Sequence, residues 1–236
     1  MNSNEERTMS CTGRVMIALC LSLWITAGAQ AAPVILDFES FRVDDALIHN
    51  HAGELEFQGF TILSVPPPGN AFRFSSAGTL HPLFPGSTAL WNGQSNAENI
   101  LTASNGGAFS LFSMDLAALP PGASDPAGMT DPGPFDLTFT GTRSGGSTVS
   151  NTFTINNTFL ALERFAFTGF QNVTSVSWFQ GSGFNPPGPP LPGQATHQFD
   201  RIVVAPVPEP SSLLLFLLGG AGVLLSRTTR RPEPGR

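Results

Sequence analysis

The chain has no lysine and no tyrosine, and its two cysteines, Cys11 and Cys20, both lie near the N-terminus. Beyond Cys20 there is therefore no thiol, which excludes a disulfide, a cysteine nucleophile or a thiolate metal site from the body of the protein. Between residues 32 and 205, thirteen carboxylates face five arginines, a net charge of −8. Such a surface repels a phosphate backbone, so nucleic acid is excluded as a partner. Catalytic signatures are missing too. There is no Gly-x-Ser-x-Gly elbow, no His-Glu-x-x-His and no phosphate-cradling glycine loop. A glycosidase would need two carboxylates about 5–9 Å apart, and nothing in the sequence singles out a pair. We therefore expect no enzyme. Amphipathic helical periodicity is also absent between the two ends of the chain.

What the chain has instead is phenylalanine, 20 residues of it. A benzyl side chain carries no hydroxyl, so a core built from it gains apolar area without needing a buried hydrogen-bond partner. The periodic segments repeat every two residues. Val34, Leu36 and Phe38 alternate with Ile35, Asp37 and Glu39. Glu54–Ser64 reads as a strand whose apolar phase slips at Gln58-Gly59, the pattern of a β-bulge. Residues 42–53 are polar, Ala71–Ser75 is a short strand, and 76–98 reads as loop with short extended pieces. Phe109–Leu116 is extended. Phe135, Leu137 and Phe139 alternate cleanly with Asp136, Thr138 and Thr140. Ser144-Gly145-Gly146-Ser147 turns into Thr148–Ile155. Phe159–Phe167, Asn172–Gln180 and His197–Ala205 complete the set. About ten short strands separated by turn residues predict an all-β, antiparallel β-sandwich of jelly-roll type over residues 32–205. Its size suffices for independent folding, and no internal repeat points to a propeller or β-helix.

Both ends are hydrophobic. Val15–Ala29 is mostly apolar, follows Arg14 and leads to Ala29-Gln30-Ala31, which reads as a signal peptide over residues 1–31 cleaved after Ala31 by signal peptidase. Glu5 and Glu6 outweigh Arg7 ahead of it, so a start at Met9 stands beside the start at Met1. At the other end, residues 206–236 run through Val207-Pro208-Glu209-Pro210, an apolar stretch from Ser211 to Ser226, and a tail (227–236) containing Arg227, Arg230 and Arg231. As a helix the apolar stretch would span about 24 Å at ~1.5 Å per residue, short against a hydrocarbon core of about 30 Å. The arginines place the C-terminus in the cytoplasm and the sandwich outside, the topology the signal peptide demands. Gly219, Gly220 and Gly222 offer a close-packing face within it.

The order of short motif, apolar helix and basic tail resembles the PEP-CTERM sorting signal of Gram-negative bacteria. That resemblance implies export, temporary anchoring in the inner membrane, and processing by an exosortase at or near residues 207–210. It also implies a final place at the cell surface or outside the cell, in association with exopolysaccharide and biofilm matrix. The same segment also goes under the name of an ice-binding protein C-terminal domain, but that label describes the anchor and implies no antifreeze activity. The body resembles the β-sandwich domains found ahead of such anchors, through Leu36-Asp37-Phe38-Glu39, Gly59-Phe60-Thr61 and Phe199-Asp200-Arg201-Ile202-Val203-Val204. Domains of that kind commonly carry Asn where Arg201 stands.

Three sets of residues are candidates for chemistry. Asp37 and Glu39, two apart on the first strand, project from one face. By resemblance to jelly-roll carbohydrate-binding domains, Asp37, Glu39 and Asp200 would supply oxygen ligands to Ca2+; solvated carboxylates are the plain alternative. His49 and His51 have a spacing that can present two imidazoles to a metal, without an identifiable third ligand. Trp91, beside Asn92-Gly93-Gln94, is a candidate glycan contact in a loop, whereas Trp178 alternates with Val176 and belongs in the core. The functional expectation is an exported, exosortase-processed, non-catalytic sandwich with no cofactor, Ca2+ being the one candidate. A calcium-supported carbohydrate-binding module and a secreted glycan-active hydrolase are the alternatives.

Overall fold

The computed structural model describes residues 31–71, 73–93, 96–119, 134–156, 161–181 and 196–208. Residues 1–30 of the expected signal peptide, Glu209 and Pro210 of the sorting motif, the apolar stretch 211–226 and the arginine tail lie outside the described residues. Among the described residues no helix is long and apolar enough to cross a membrane. Ala32–Val207 forms one compact unit, and it is nearly all β.

The described residues form thirteen strands in order: β1 (Val34–Leu36), β2 (Ile48–Ala52), β3 (Glu54–Phe57), β4 (Phe60–Val65), β5 (Arg73–Ala77), β6 (Leu90–Asn92), β7 (Glu98–Ala103), β8 (Phe109–Ala118), β9 (Phe135–Arg143), β10 (Thr148–Ile155), β11 (Glu163–Ala166), β12 (Val173–Phe179) and β13 (His197–Pro206). All pairings are antiparallel. One hydrogen-bonded layer runs β2-β5-β6-β13-β8-β11, with β1 sharing the β6 edge of β13. The other runs β3-β4-β7-β12-β9-β10. A single pair, Val173 with Phe109, joins them, so the continuous path folds into the two layers of a sandwich.

The alternation read from the sequence sets which side chains enter the space between the layers. Phe199 from one layer meets Trp178 from the other edge-to-face, with centroids 5.3 Å apart, and Phe38 packs on Phe199 at 5.8 Å. Trp178 in turn touches Phe139 at 5.4 Å. Such pairs add about 0.5–1.5 kcal/mol each beyond their buried area. A second, smaller cluster of Ala77, Leu83, Trp91 and Leu119, flanked by Ile48 and Phe84, is separate from this core.

Two readings of local structure change. The first strand ends at Leu36, and Glu39 opens a 3-10 turn (Glu39–Phe41) instead of sharing a strand face with Asp37. The phase slip at Gln58-Gly59 is a two-residue hairpin turn, with φ of 48° and 83°, between β3 and β4. Both positive φ values fit a type I′ turn, where glycine carries no steric cost. A turn and a bulge shift the apolar phase in the same way, so the pattern alone does not separate them. The polar segment 42–53 also contains a strand, β2, paired with β5.

Candidate functional site

The antiparallel pairing of β1 with β13 matches Leu36 to Ile202. The chain leaving β1 therefore passes Asp200, and buried Phe38 fixes its path into Glu39. Ser87, from the segment between β5 and β6, completes the site. Its hydroxyl lies 3.1 Å from Glu39 Oε1 and also contacts Asp200 Oδ2. The Thr88 N–H donates to Glu39 Oε1 at 2.9 Å, and Arg42 lies 3.7 Å from Oε2. On β13 the Arg201 N–H donates to Asp200 Oδ1 at 2.7 Å. Arg201 takes a φ of +45° at a register shift in β13, a left-handed conformation that asparagine tolerates far better than arginine.

The electrostatics follow from this geometry. Asp200 is fully buried, and burial pushes its carboxyl up to about 6, with the charges of Glu39 and Asp115 adding to the rise against the Ser87 and Arg201 hydrogen bonds. For Glu39 burial also acts upward, but the Thr88 N–H, Ser87 and Arg42 together hold it below the usual value. Asp115 is the cross-strand partner of Asp200 and is held by Arg164 at 2.8 and 3.1 Å, with Arg201 at 3.8 Å. One serine proton cannot serve two carboxylates at once. Glu39 has the Thr88 N–H, Arg42 and solvent as further partners, whereas buried Asp200 has the Arg201 N–H.

Of the anticipated calcium set, the fold thus brings Glu39 and Asp200 together and leaves Asp37 exposed, outside the group around Ser87. Among the described residues no three His, Cys, Asp or Glu side chains are arranged to hold a metal. His49 and His51 also part company. His49 Nε2 meets Asp45 Oδ1 at 2.9 Å, whereas His51 meets Ser76 Oγ at 2.8 Å and stacks on Phe41. Ser87 and Thr88 escaped the sequence reading because nothing local marks them; they act through partners 48 to 113 residues away.

Trp91 is not a surface residue. It is 3% exposed on β6 and packs with Leu83 and Leu119 beneath the segment 78–88, so its indole face is closed to a sugar. Among the described residues the exposed aromatic is Phe179, at 58%. Its signal was present in the sequence, in the phase opposite to Val176 and Trp178. It stands on the outer face of the β3-β4-β7-β12-β9-β10 layer, paired with Glu98 on β7 and one step beyond the Trp178–Phe139 pair, in register with Thr138. The next outward row is Ser150, Thr140, Ser177, Ile100 and Leu63; the one after is Thr148, Thr142, Ser175, Thr102 and Thr61. Thr138 and Thr152 hydroxyls meet across the hairpin at 2.8 Å, and Thr154 donates to Asp136 at 2.7 Å.

Deep inside, at the β12–β13 end, a polar chain crosses the core. Asn92 Nδ2 donates to Ser64 Oγ (2.6 Å) and Asn99 Oδ1 (3.0 Å), and Gln180 Nε2 donates to the His197 carbonyl (2.9 Å). The His197 ring is wholly buried, and burial drives its ordinary value of 6.5 down to about 3, so it is neutral.

The domain is thus defined as a β-sandwich with a Glu39–Ser87–Asp200 cluster beside β13 and an outer face rich in hydroxyls. Residues 206–231, at its C-terminal border, match the PEP-CTERM protein-sorting motif, so the chain carries that signal. No match was found among curated proteins. Among solved structures, a family 29 carbohydrate-binding module complexed with cellohexaose (cellulohexaose) is 8% identical, covering 75% of this chain and 93% of that one, with a TM-score of 0.39. The C-terminal domain of a chitobiase from Bacteroides fragilis is 11% identical over 66% of this chain and 99% of that one, at a TM-score of 0.34. An exo-beta-agarase is 11% identical over 77% of this chain and 25% of that one, also at 0.34.

Proposed function

We propose that the protein is exported, held in the inner membrane by residues 206–236, and processed by an exosortase at or near Val207-Pro208-Glu209-Pro210, leaving a non-catalytic β-sandwich at the cell surface or in the extracellular matrix. The observation that carries this reading is the sorting motif at residues 206–231. The fold is compatible with such processing: β13 ends at Pro206, and Val207 makes its last backbone bond, to Ala108 O at 2.8 Å. Cleavage beyond Val207 would cut no strand. The test is expression in an exosortase-bearing Gram-negative host and in its exosortase deletion. A shorter, released form in the first and a full-length, membrane-associated form in the second are expected, with Glu209→Ala behaving like the deletion. Release that is indifferent to both changes would refute the reading.

The carboxylate cluster favours a second reading, a calcium-supported carbohydrate-binding module. Glu39, Asp200 and the Ser87 hydroxyl are hard oxygen donors of the kind Ca2+ takes, and a cation there would offset the buried negative charge that Asp200 carries above about pH 6. Thermal melting at pH 8 with Ca2+ and with EDTA tests it. A higher midpoint in Ca2+ that disappears in Asp200→Asn is expected; identical midpoints would remove calcium from the account.

A further inference from the structure

We propose that the outer face of the β3-β4-β7-β12-β9-β10 layer is a binding surface for an uncharged polysaccharide chain, with Phe179 as its platform. The proposal rests on the carbohydrate-binding reading and adds the site and the charge class of the ligand. Strands stand about 4.8 Å apart and successive outward residues about 6.8 Å apart, so the rows described above form a regular grid. On its β9–β10 side the grid is almost wholly hydroxyl: Thr138, Thr140, Thr142, Thr148, Ser150, Thr152 and Thr154. Each hydroxyl both donates and accepts, which complements a ligand that is itself covered in hydroxyls. On the β7–β4 side Ile100, Leu63 and Val65 flank Phe179, an apolar strip suited to the C–H face of a sugar ring.

Charge decides among occupants. The chain has no lysine, and no arginine lies in these outward rows, whereas Asp136, Glu98, Glu54 and Glu56 stand on the face or at its rim. An anionic polymer or a membrane surface of acidic lipid meets like charge here. A protein partner of the stable kind needs a desolvated apolar centre, whereas in the middle of this face Phe179 and Ile100 are interleaved with Glu98 and Ser177. A neutral glycan satisfies all three features at once.

The experiment is native affinity electrophoresis of the full chain in mild detergent, through gels containing hydroxyethylcellulose, galactomannan, dextran or alginate. Retardation by at least one neutral polymer and none by alginate is expected. Phe179→Ala should weaken the binding by about tenfold, with Thr138→Ala/Thr140→Ala weakening it less. Leu80→Ala, at another exposed apolar side chain, should leave it unchanged. Retardation that survives Phe179→Ala overturns this site while leaving the carbohydrate-binding reading in place. No retardation by any polymer overturns both, and so does a dimer in sedimentation that Phe179→Ala dissociates, since the occupant would then be a second copy.

Discussion

The two outward faces of the sandwich have met the same physical problem in opposite ways. On the β6-β13-β8 side the strands are largely enclosed: every residue of β8 but Phe112 is buried, and Leu83 of the segment 78–88 packs with Trp91 and Leu119. Gln198 and Asp200 are enclosed there as well and must find partners, in the Leu83 carbonyl and in Ser87. On the β9-β10-β12 side no described segment comparably covers the sheet. Thr and Ser dominate the outward phase of β9 and β10, bond across the hairpin, and leave Phe179 open. A covered face is paid for in buried polar groups that need specific partners; an open face needs only alternation and remains free for a ligand.

The comparison is broken most severely at the two aromatics. Trp91→Ala should cost about 3–5 kcal/mol, the range for emptying a buried aromatic site. Phe179→Ala should stay within about 0.5 kcal/mol. Urea denaturation of both variants checks this, and equal losses would mean the faces are not so different.

Next come the two buried titrating groups. Asp200 sits near 6 in the fold against an ordinary 3.8, so the native state keeps a proton that the unfolded chain has lost. Its contribution is full below about pH 4 and lost as pH rises to 6. His197 sits near 3 against 6.5, so the native state refuses a proton that the unfolded chain takes. Its contribution is full above pH 6.5 and lost as pH falls. Between pH 4 and 6 the two slopes oppose, and stability should vary little. Asp200→Asn should expose the histidine slope, with stability rising with pH by on the order of 2 kcal/mol across that window. His197→Asn should show the reverse. Parallel pH profiles for the two variants would contradict both assignments.

Arg201 gives a smaller effect. Arg201→Asn should raise stability by about 0.5 kcal/mol, since the relief of the left-handed φ exceeds the worth of the long contact to Asp115. Arg201→Val should lower it by about 1–2 kcal/mol. Smallest of all, Thr138→Ala should cost about 0.2–0.5 kcal/mol through the lost pair with Thr152, as thermal melting would register.

How much could be read in advance depended on distance along the chain. The β9–β10 hairpin was legible because Phe135, Leu137 and Phe139 alternate without interruption and Ser144-Gly145-Gly146-Ser147 marks the turn; strand pairing there needs only neighbours. β2 was hidden because its outward and inward residues are all polar or small apart from Ile48, and its partner β5 lies beyond two other strands. Trp91 was misplaced because its cover comes from a Gly/Pro-containing segment that looks like surface loop. Asp37 and Glu39 were paired by spacing, and a 3-10 turn broke the spacing.

By itself, the sequence determined an all-β body, a phenylalanine core without thiols and the sorting signal at residues 206–231, because alternation, composition and a short linear motif are local properties of the chain. The tertiary structure alone decided which aromatic faces solvent and which carboxylates share a hydroxyl. Covering a strand, or joining Ser87 to Asp200 across 113 residues, depends on segments whose contacts are set only when the layers close.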